Sequence, residues 1–117
     1  MEKNKCVLIL GTVYKISYNT REKDTTLNDK DGYTDDYQKR IVVASEKSFN
    51  ENWDRQSIEI YQKKVLRHEI IHAFLYESGL DVNSNKAYSW AENEEMVDWF
   101  AIQSPKIYKI YKDLDIL

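Results

Sequence analysis

The residues with the clearest chemical potential are the only two histidines, four positions apart in the run His68-Glu69-Ile70-Ile71-His72. Four residues advance an α-helix by ~400°, so the two imidazoles lie ~40° apart on one face and about 6 Å apart along the axis. Two such nitrogens can bind one tetrahedral zinc ion. Glu69 stands beside them, where its carboxylate can accept a proton from a metal-bound water. The spacing therefore predicts a metal site with its own general base.

A second motif offers the third ligand that a catalytic zinc ion needs beside one open position. Asn93, Glu94 and Asp98 form the pattern N-E-x-x-x-D on a second predicted helix. Glu94 and Asp98 are one turn apart, so they share a face. Glu94 can bind the metal while Asp98 accepts the outward N–H of a ligand histidine, which fixes the tautomer. The 21 residues between His72 and Glu94 leave room for the first helix to end and the second to cross it.

The elements that must carry these motifs follow from apolar spacing and capping signals. Apolar residues recur with helical period from about residue 54 to 78, and a glycine follows as a helix stop. The S-x-x-E form at 89–92 is typical of a capping box and predicts a second helix from residue 90. Ser104-Pro105 predicts the end of that helix and the start of a short C-terminal helix over 105–113.

The first part of the chain predicts a small sheet. Residues 6–18 are rich in Val, Ile and Tyr and predict one strand, with Gly11 as a bulge. Residues 19–36 are polar and predict a long loop, and 39–45 predict a second strand. We therefore expect an α+β fold in which a small antiparallel or mixed sheet packs on the long active-site helix, in a single domain over residues 1–117.

Composition limits the partners and the compartment. The 117 residues are 42% hydrophobic and 32% charged, as in ordinary globular domains. A net charge of −3 predicts neither a nucleic-acid nor a membrane surface. One cysteine, Cys6, allows no internal disulfide, which favours the cytoplasm. The apolar run at 7–10 is too short for a signal peptide or a membrane span.

Together, H-E-x-x-H and N-E-x-x-x-D resemble the gluzincin zinc metallopeptidases. The short chain and E-x-x-x-D-W-F-A at 94–101 look similar to the ImmA/IrrE-type and prophage-borne zincin-like peptidases. The resemblance covers roughly residues 57–103. It implies zinc held by His68, His72 and Glu94, with Glu69 as the base and Asp98 behind a histidine. It also implies a peptide or protein substrate held by strand addition to a sheet edge, for which Ile41, Val42, Val43 and Ala44 are the candidates.

Departures from related families narrow this reading. Metzincins need Gly and His where this chain has Leu75 and Ser78, so that branch is excluded. No third histidine is present to polarise an oxyanion, so any helper is Tyr, Lys, Arg or the metal alone. Tyr88 and Tyr76 are the tyrosine candidates.

Other interpretations of the same residues stay open. The two histidines could be half-exposed residues of an ordinary amphipathic helix, and the glutamates at 92–95 could be a solvated acidic first turn. If zinc is bound, the chain could be an active peptidase or a zinc hydrolase acting on another bond. It could also be a binding or phage-associated module that cleaves nothing. The catalytic interpretation is favoured because only three protein ligands are found, whereas a structural zinc site usually has four.

Overall fold

A computed structural model describes residues 2–80 and 89–117. Four strands, β1 (Lys5–Ile9), β2 (Thr12–Asn19), β3 (Gly32–Asp35) and β4 (Arg40–Ala44), precede two helices, α1 (Arg55–Glu77) and α2 (Glu94–Asp113). Short 3-10 turns lie at Thr25–Asp29, Glu46–Ser48 and Trp90–Glu92. The described part of the chain is thus an α+β fold with a small mixed sheet, as the sequence predicted at this level.

The first predicted strand is in fact a hairpin, so that prediction was wrong. β1 and β2 pair antiparallel, from Lys5 opposite Ile16 to Ile9 opposite Thr12. Leu10 and Gly11 connect them with φ of 48° and 87°. Two successive residues with positive φ match the twist of a two-residue hairpin turn, and glycine adopts that conformation without steric cost. Gly11 therefore reverses the chain rather than forming a bulge within one strand.

The order of the sheet is β1-β2-β4-β3, with β2 and β4 parallel and β3 antiparallel to β4. The predicted polar loop at 19–36 therefore contains a strand, β3, which the sequence did not indicate. The prediction that Ile41, Val42, Val43 and Ala44 form a substrate-binding edge was wrong, because this strand is paired on both sides. All four of these residues are buried. The sheet edge beside α1 is β3.

Helix α1 begins where Asp54 caps it, with its side chain accepting the N–H of Ser57 at 2.8 Å. The helix lies on one face of the sheet, and its Val65 and Ala73 join the main core. The remaining buried members of that core come from the three strands β1, β2 and β4: Ile9, Tyr14, Ile16, Ile41 and Val43. The histidine motif is therefore on the helix that the sheet supports along its length.

Helix α2 begins and ends differently from the prediction. The capping box at 89–92 forms a 3-10 turn, and the cap of α2 is Asn93, whose Oδ1 accepts the N–H of Met96 at 2.8 Å. The helix then runs through Pro105 to Asp113, so the separate C-terminal helix was a wrong prediction. A proline cannot donate to the carbonyl four residues earlier. Arg67 Nε of α1 donates to that carbonyl, on Ala101, at 2.8 Å and satisfies it.

Neither helix within the described ranges combines the length and the apolar character needed to cross a lipid bilayer.

Candidate metal centre

Two helices bring the predicted ligands together. His68 and His72 project from the middle of α1, and Glu94 is the first residue of α2. Val97 and Ala101 of α2 are completely buried, which holds the start of this helix against α1. The cap at Asn93 fixes where α2 begins and therefore where the Glu94 side chain leaves the backbone.

Three potential ligand atoms of these side chains converge. His68 Nε2 lies 3.2 Å from His72 Nε2 and 3.2 Å from Glu94 Oε2. His72 Nε2 lies 2.7 Å from Glu94 Oε1. The imidazoles are nearly buried, with 14% and 6% of their side chains exposed, whereas the outer side of Glu94 faces solvent with 71% exposed. The group is therefore held by protein on one side and open on the other.

The other nitrogen of each imidazole has its own acceptor. His68 Nδ1 lies 3.3 Å from Asp98 Oδ1, and His72 Nδ1 lies 2.5 Å from the carbonyl oxygen of Ala91. Because both partners can only accept, we assign the ring proton to Nδ1 in each neutral histidine. Both Nε2 atoms then carry lone pairs that point at each other and at the Glu94 carboxylate.

This donor set fits a metal ion. Three acceptor atoms within about 3 Å of one another repel unless a cation lies among them. Nitrogen and oxygen ligands bound at ~2.0–2.1 Å on tetrahedral corners lie ~3.3 Å apart, close to the two 3.2 Å separations found here. His68, His72 and Glu94 therefore form a group that could hold a metal ion.

Glu69 stands beside the ligand atoms. Its side chain is 9% exposed, and its Oε2 lies 4.0 Å from His68 Nε2. The hydroxyl of Thr34, on β3, lies 2.9 Å from both Glu69 Oε1 and the Glu69 carbonyl oxygen and donates to this residue. Burial raises the pKa of the Glu69 carboxyl and outweighs the opposing effects of His72 and Thr34. One oxygen is thus fixed by β3 while the other faces the metal group.

Gly32 allows β3 to approach α1 this closely. A Cβ atom at this position would lie 2.7 Å from Val65 Cγ1 and 3.1 Å from the carbonyl oxygen of Val42. The first distance is shorter than real Cβ atoms show, and the second is a tight contact with backbone, which cannot move aside cheaply. Glycine is therefore the residue that lets Thr34 reach Glu69.

Two clefts open on either side of the metal group, of about 220 and 250 Å³. The first is bordered by His68 and the second by His72. Lys30, Gly32, Glu69 and Glu94 border both clefts. The two clefts therefore lie next to each other along the unpaired side of β3, and together they are called the groove below.

The remaining predicted residues have mixed outcomes. Asp98 lies behind His68, where the sequence placed it. The N-E-x-x-x-D motif also predicted that Asn93, like Asp98, would support the metal ligands from behind, but the contact its side chain makes is the helix cap of α2. Tyr88 lies outside the described residues. The Tyr76 hydroxyl donates to Glu92 Oε1 at 3.1 Å, and its ring stacks on His72.

The sequence did not indicate that Gly32, Thr34 or the Ala91 carbonyl belongs to the site. An Asp-Gly pair at 31–32 signalled only a turn, and a four-residue strand has too short an alternation to be recognised. Every residue has a backbone carbonyl group, so the type of residue at position 91 does not indicate this contact.

Comparison with protein-family models, with curated proteins and with solved structures finds no match to this chain.

Proposed function

We propose that this protein is a zinc-dependent metallopeptidase of the gluzincin type. One observation carries the proposal: two imidazole nitrogens and a carboxylate converge beside the buried carboxylate of Glu69. Each imidazole is oriented by an acceptor behind it, as metal-binding histidines usually are. The zincin-like character of the fold is part of this proposal.

Zinc is the metal that this donor set favours. Imidazole and carboxylate ligands in tetrahedral spacing suit zinc, and a catalytic zinc site keeps three protein ligands with one position open. Within the described ranges the group has three members, and its Glu94 side is exposed. A site with an open side supports a catalytic role over a purely structural one.

Bound zinc would supply the Lewis acidity that acidifies water and polarises a carbonyl group. Glu69 would accept the proton of the attacking water at Oε2, the oxygen that faces the ligand group. The Thr34 hydroxyl holds Oε1 and keeps the carboxylate plane fixed during this transfer. Glu69 would then deliver the proton to the leaving amine. Asp98 and the Ala91 carbonyl would keep both imidazoles in the tautomer that leaves Nε2 free.

A peptide is the substrate that the groove favours. β3 is an edge strand, and its backbone N–H and C=O groups on the side away from β4 can pair with an extended chain. Gly32, Tyr33 and Thr34 of this strand border the cleft that contains Glu69 and His72. A peptide added to β3 would therefore lie across the metal group.

The test compares the wild type with Glu69→Gln, both loaded with zinc. We expect equal zinc content, because Glu69 is not a ligand, and a fall in peptide hydrolysis of about 10²- to 10⁴-fold. The readouts are metal analysis and mass spectrometry of new chain ends in a degenerate peptide mixture. Glu95→Gln, an exposed glutamate of α2, is the matched control and should leave both readouts unchanged.

Equal hydrolysis by wild type and Glu69→Gln would contradict the proposed role of the base. If both proteins bind zinc and neither cleaves any peptide, the non-catalytic zinc-binding module replaces the peptidase as the function.

A further inference from the structure

Lys30 is a cation at the centre of the groove, bordering the cleft on each side of the metal group. It is exposed, and within the described ranges its ammonium makes neither a hydrogen bond nor an ion pair with the protein. Lys64 also borders the cleft beside His68, but its Nζ lies 3.6 Å from Asp98 Oδ1 and is partly neutralised. Lys30 therefore interacts with Glu69 only through space, and its ammonium keeps its hydrogen-bonding capacity for whatever occupies the groove.

The backbone of Lys30 is held firmly although its side chain is exposed. Its carbonyl oxygen accepts from Arg21 Nη1 at 2.6 Å. The next residue, Asp31, accepts from Arg21 Nη2 at 2.6 Å and from the Tyr61 hydroxyl at 2.5 Å. These contacts hold the backbone at Lys30 in place beside α1, so the lysine side chain leaves the chain from a defined position. A preorganised donor loses less freedom on binding than one on a mobile loop.

The two ends of the groove differ in charge. Lys30 borders both ends. The end beside His68 adds Lys64, paired with Asp98, whereas the end beside His72 adds the negative charge of Glu92. Asp31 also borders the His68 end, but its negative charge is paired with Arg21. A peptide with a negative group at the His68 end and none at the His72 end therefore fits the groove best.

Strand pairing gives this preference a direction. β3 runs from Gly32, against Val65 and Glu69, toward Asp35 at the far end. Antiparallel pairing is slightly more stable than parallel pairing. A peptide that pairs antiparallel with β3 leaves the metal group past Gly32 and Lys30, so its C-terminal part lies at the lysine end.

From this juxtaposition we infer that Lys30 binds a substrate carboxylate on the C-terminal side of the cleaved bond. The inference rests on the proposed function, because it assigns a polarity to the same groove. The carboxylate can belong to an acidic side chain or to the end of the peptide chain. Either source presents the same pair of oxygens to the ammonium.

The test measures binding rather than turnover. Its probes are peptidic hydroxamates that bind the metal and extend two residues on the C-terminal side, with Glu, Gln or Lys at the first or second position. Calorimetry on the zinc-loaded wild type should show Glu bound about three- to ten-fold more tightly than Gln, as for a partly exposed charge pair. Lys30→Gln should abolish this preference, and Lys30→Glu should reverse it in favour of Lys.

Controls separate the charge of Lys30 from general effects. Lys23→Gln removes an exposed lysine of the same loop and should keep the wild-type preference. Equal zinc content in all variants shows that the metal group is intact. A probe with a free carboxyl end, beside its amide, distinguishes the chain end from an acidic side chain as the source.

The outcomes for this inference and for the proposed function are distinct. If the wild type binds Glu and Gln probes equally, or binds none of them, the role of Lys30 is overturned. The same holds if Lys30→Gln keeps the wild-type preference. A Lys30-dependent preference in a protein that cleaves no peptide contradicts the peptidase and leaves the carboxylate site standing.

Discussion

Two polar clusters on helix α1 show how differently the same kinds of side chain can be arranged. Near the end of the helix, Glu77 accepts from Lys39 Nζ at 2.7 Å, from the Tyr14 hydroxyl at 2.8 Å and from Thr12 Oγ1 at 3.2 Å. Every partner of this carboxylate is a donor. The cluster ties the buried Tyr14 to the helix, and its hydrogen-bonding capacity is satisfied within the protein.

In the middle of α1 the polar atoms that face one another are acceptors, with no donor among them. His68, His72 and Glu94 present acceptor atoms to one another, and the protons of both imidazoles point away toward Asp98 and Ala91. An acceptor cluster without a donor costs stability unless a cation joins it. The comparison teaches that the satisfied cluster at Glu77 supports the fold, whereas the unsatisfied one is arranged for a ligand.

The largest effect is expected from Glu94→Ala, which removes one of the three acceptors. Zinc affinity should fall by more than about 100-fold, beyond the range expected for a residue that only supports a ligand. Competition with a chelator of known affinity measures this change. Glu95→Ala, at the neighbouring exposed position, should bind zinc like the wild type. Unchanged affinity in Glu94→Ala would remove this residue from the ligand group.

Asp98→Ala should have a smaller effect on the same measurement. The variant leaves all three ligands in place but frees His68 Nδ1 from its acceptor, so the ring can turn and change tautomer. A fall in zinc affinity of about ten- to a hundred-fold is expected. Asp113→Ala, near the exposed end of α2, is the control. If Asp98→Ala binds zinc as tightly as the wild type, Asp98 does not orient His68.

Glu77→Leu should show the opposite pattern, with lower stability and unchanged zinc affinity. The substitution leaves the hydroxyl of the fully buried Tyr14 without its acceptor, which costs about 1–3 kcal/mol. Urea unfolding of the metal-free protein measures the loss. Glu59→Leu removes a more exposed glutamate of the same helix and should cost less. A change in zinc affinity in Glu77→Leu would show that the two clusters are coupled.

The smallest effect is a dependence of stability on pH that belongs to the Glu77 cluster. The hydrogen bond from Lys39, followed by those from Tyr14 and Thr12, lowers the pKa of Glu77 below its ordinary value of 4.5. A carboxylate with a lowered folded-state pKa stabilises the protein above its unfolded pKa, and this contribution disappears as the pH falls through the folded value.

We therefore expect the metal-free wild type to lose stability below about pH 4.5 more steeply than Glu77→Gln. Urea midpoints measured at several acidic pH values provide the comparison. Parallel curves for the two proteins would contradict a stabilising charge at this position.

Local sequence was sufficient for the helical part of the site. The spacing of His68, Glu69 and His72 fixes their relation as soon as the segment is helical, because neighbouring turns of a helix stack in a fixed geometry. Glu94 and Asp98 share one face of α2 for the same reason. Their meeting with the histidines required only that two helices pack, which the apolar residues Val97 and Ala101 ensure.

Local sequence was insufficient wherever the conformation depends on distant partners. β3 exists because β4 pairs with it and because Gly32 lets it lie against α1. Pro105 continues α2 because Arg67, from another helix, satisfies the carbonyl that the proline leaves free. Neither contact can be read from the residues around the position itself.

By itself, then, the sequence determined which side chains could bind a metal and that helices would carry them, because both follow from interactions within a few residues. Only the tertiary structure decided which strand borders the groove, which backbone oxygen holds His72 and which lysine borders both clefts. These features depend on pairings between segments far apart in the chain, and such pairings contribute to stability only once the fold has assembled.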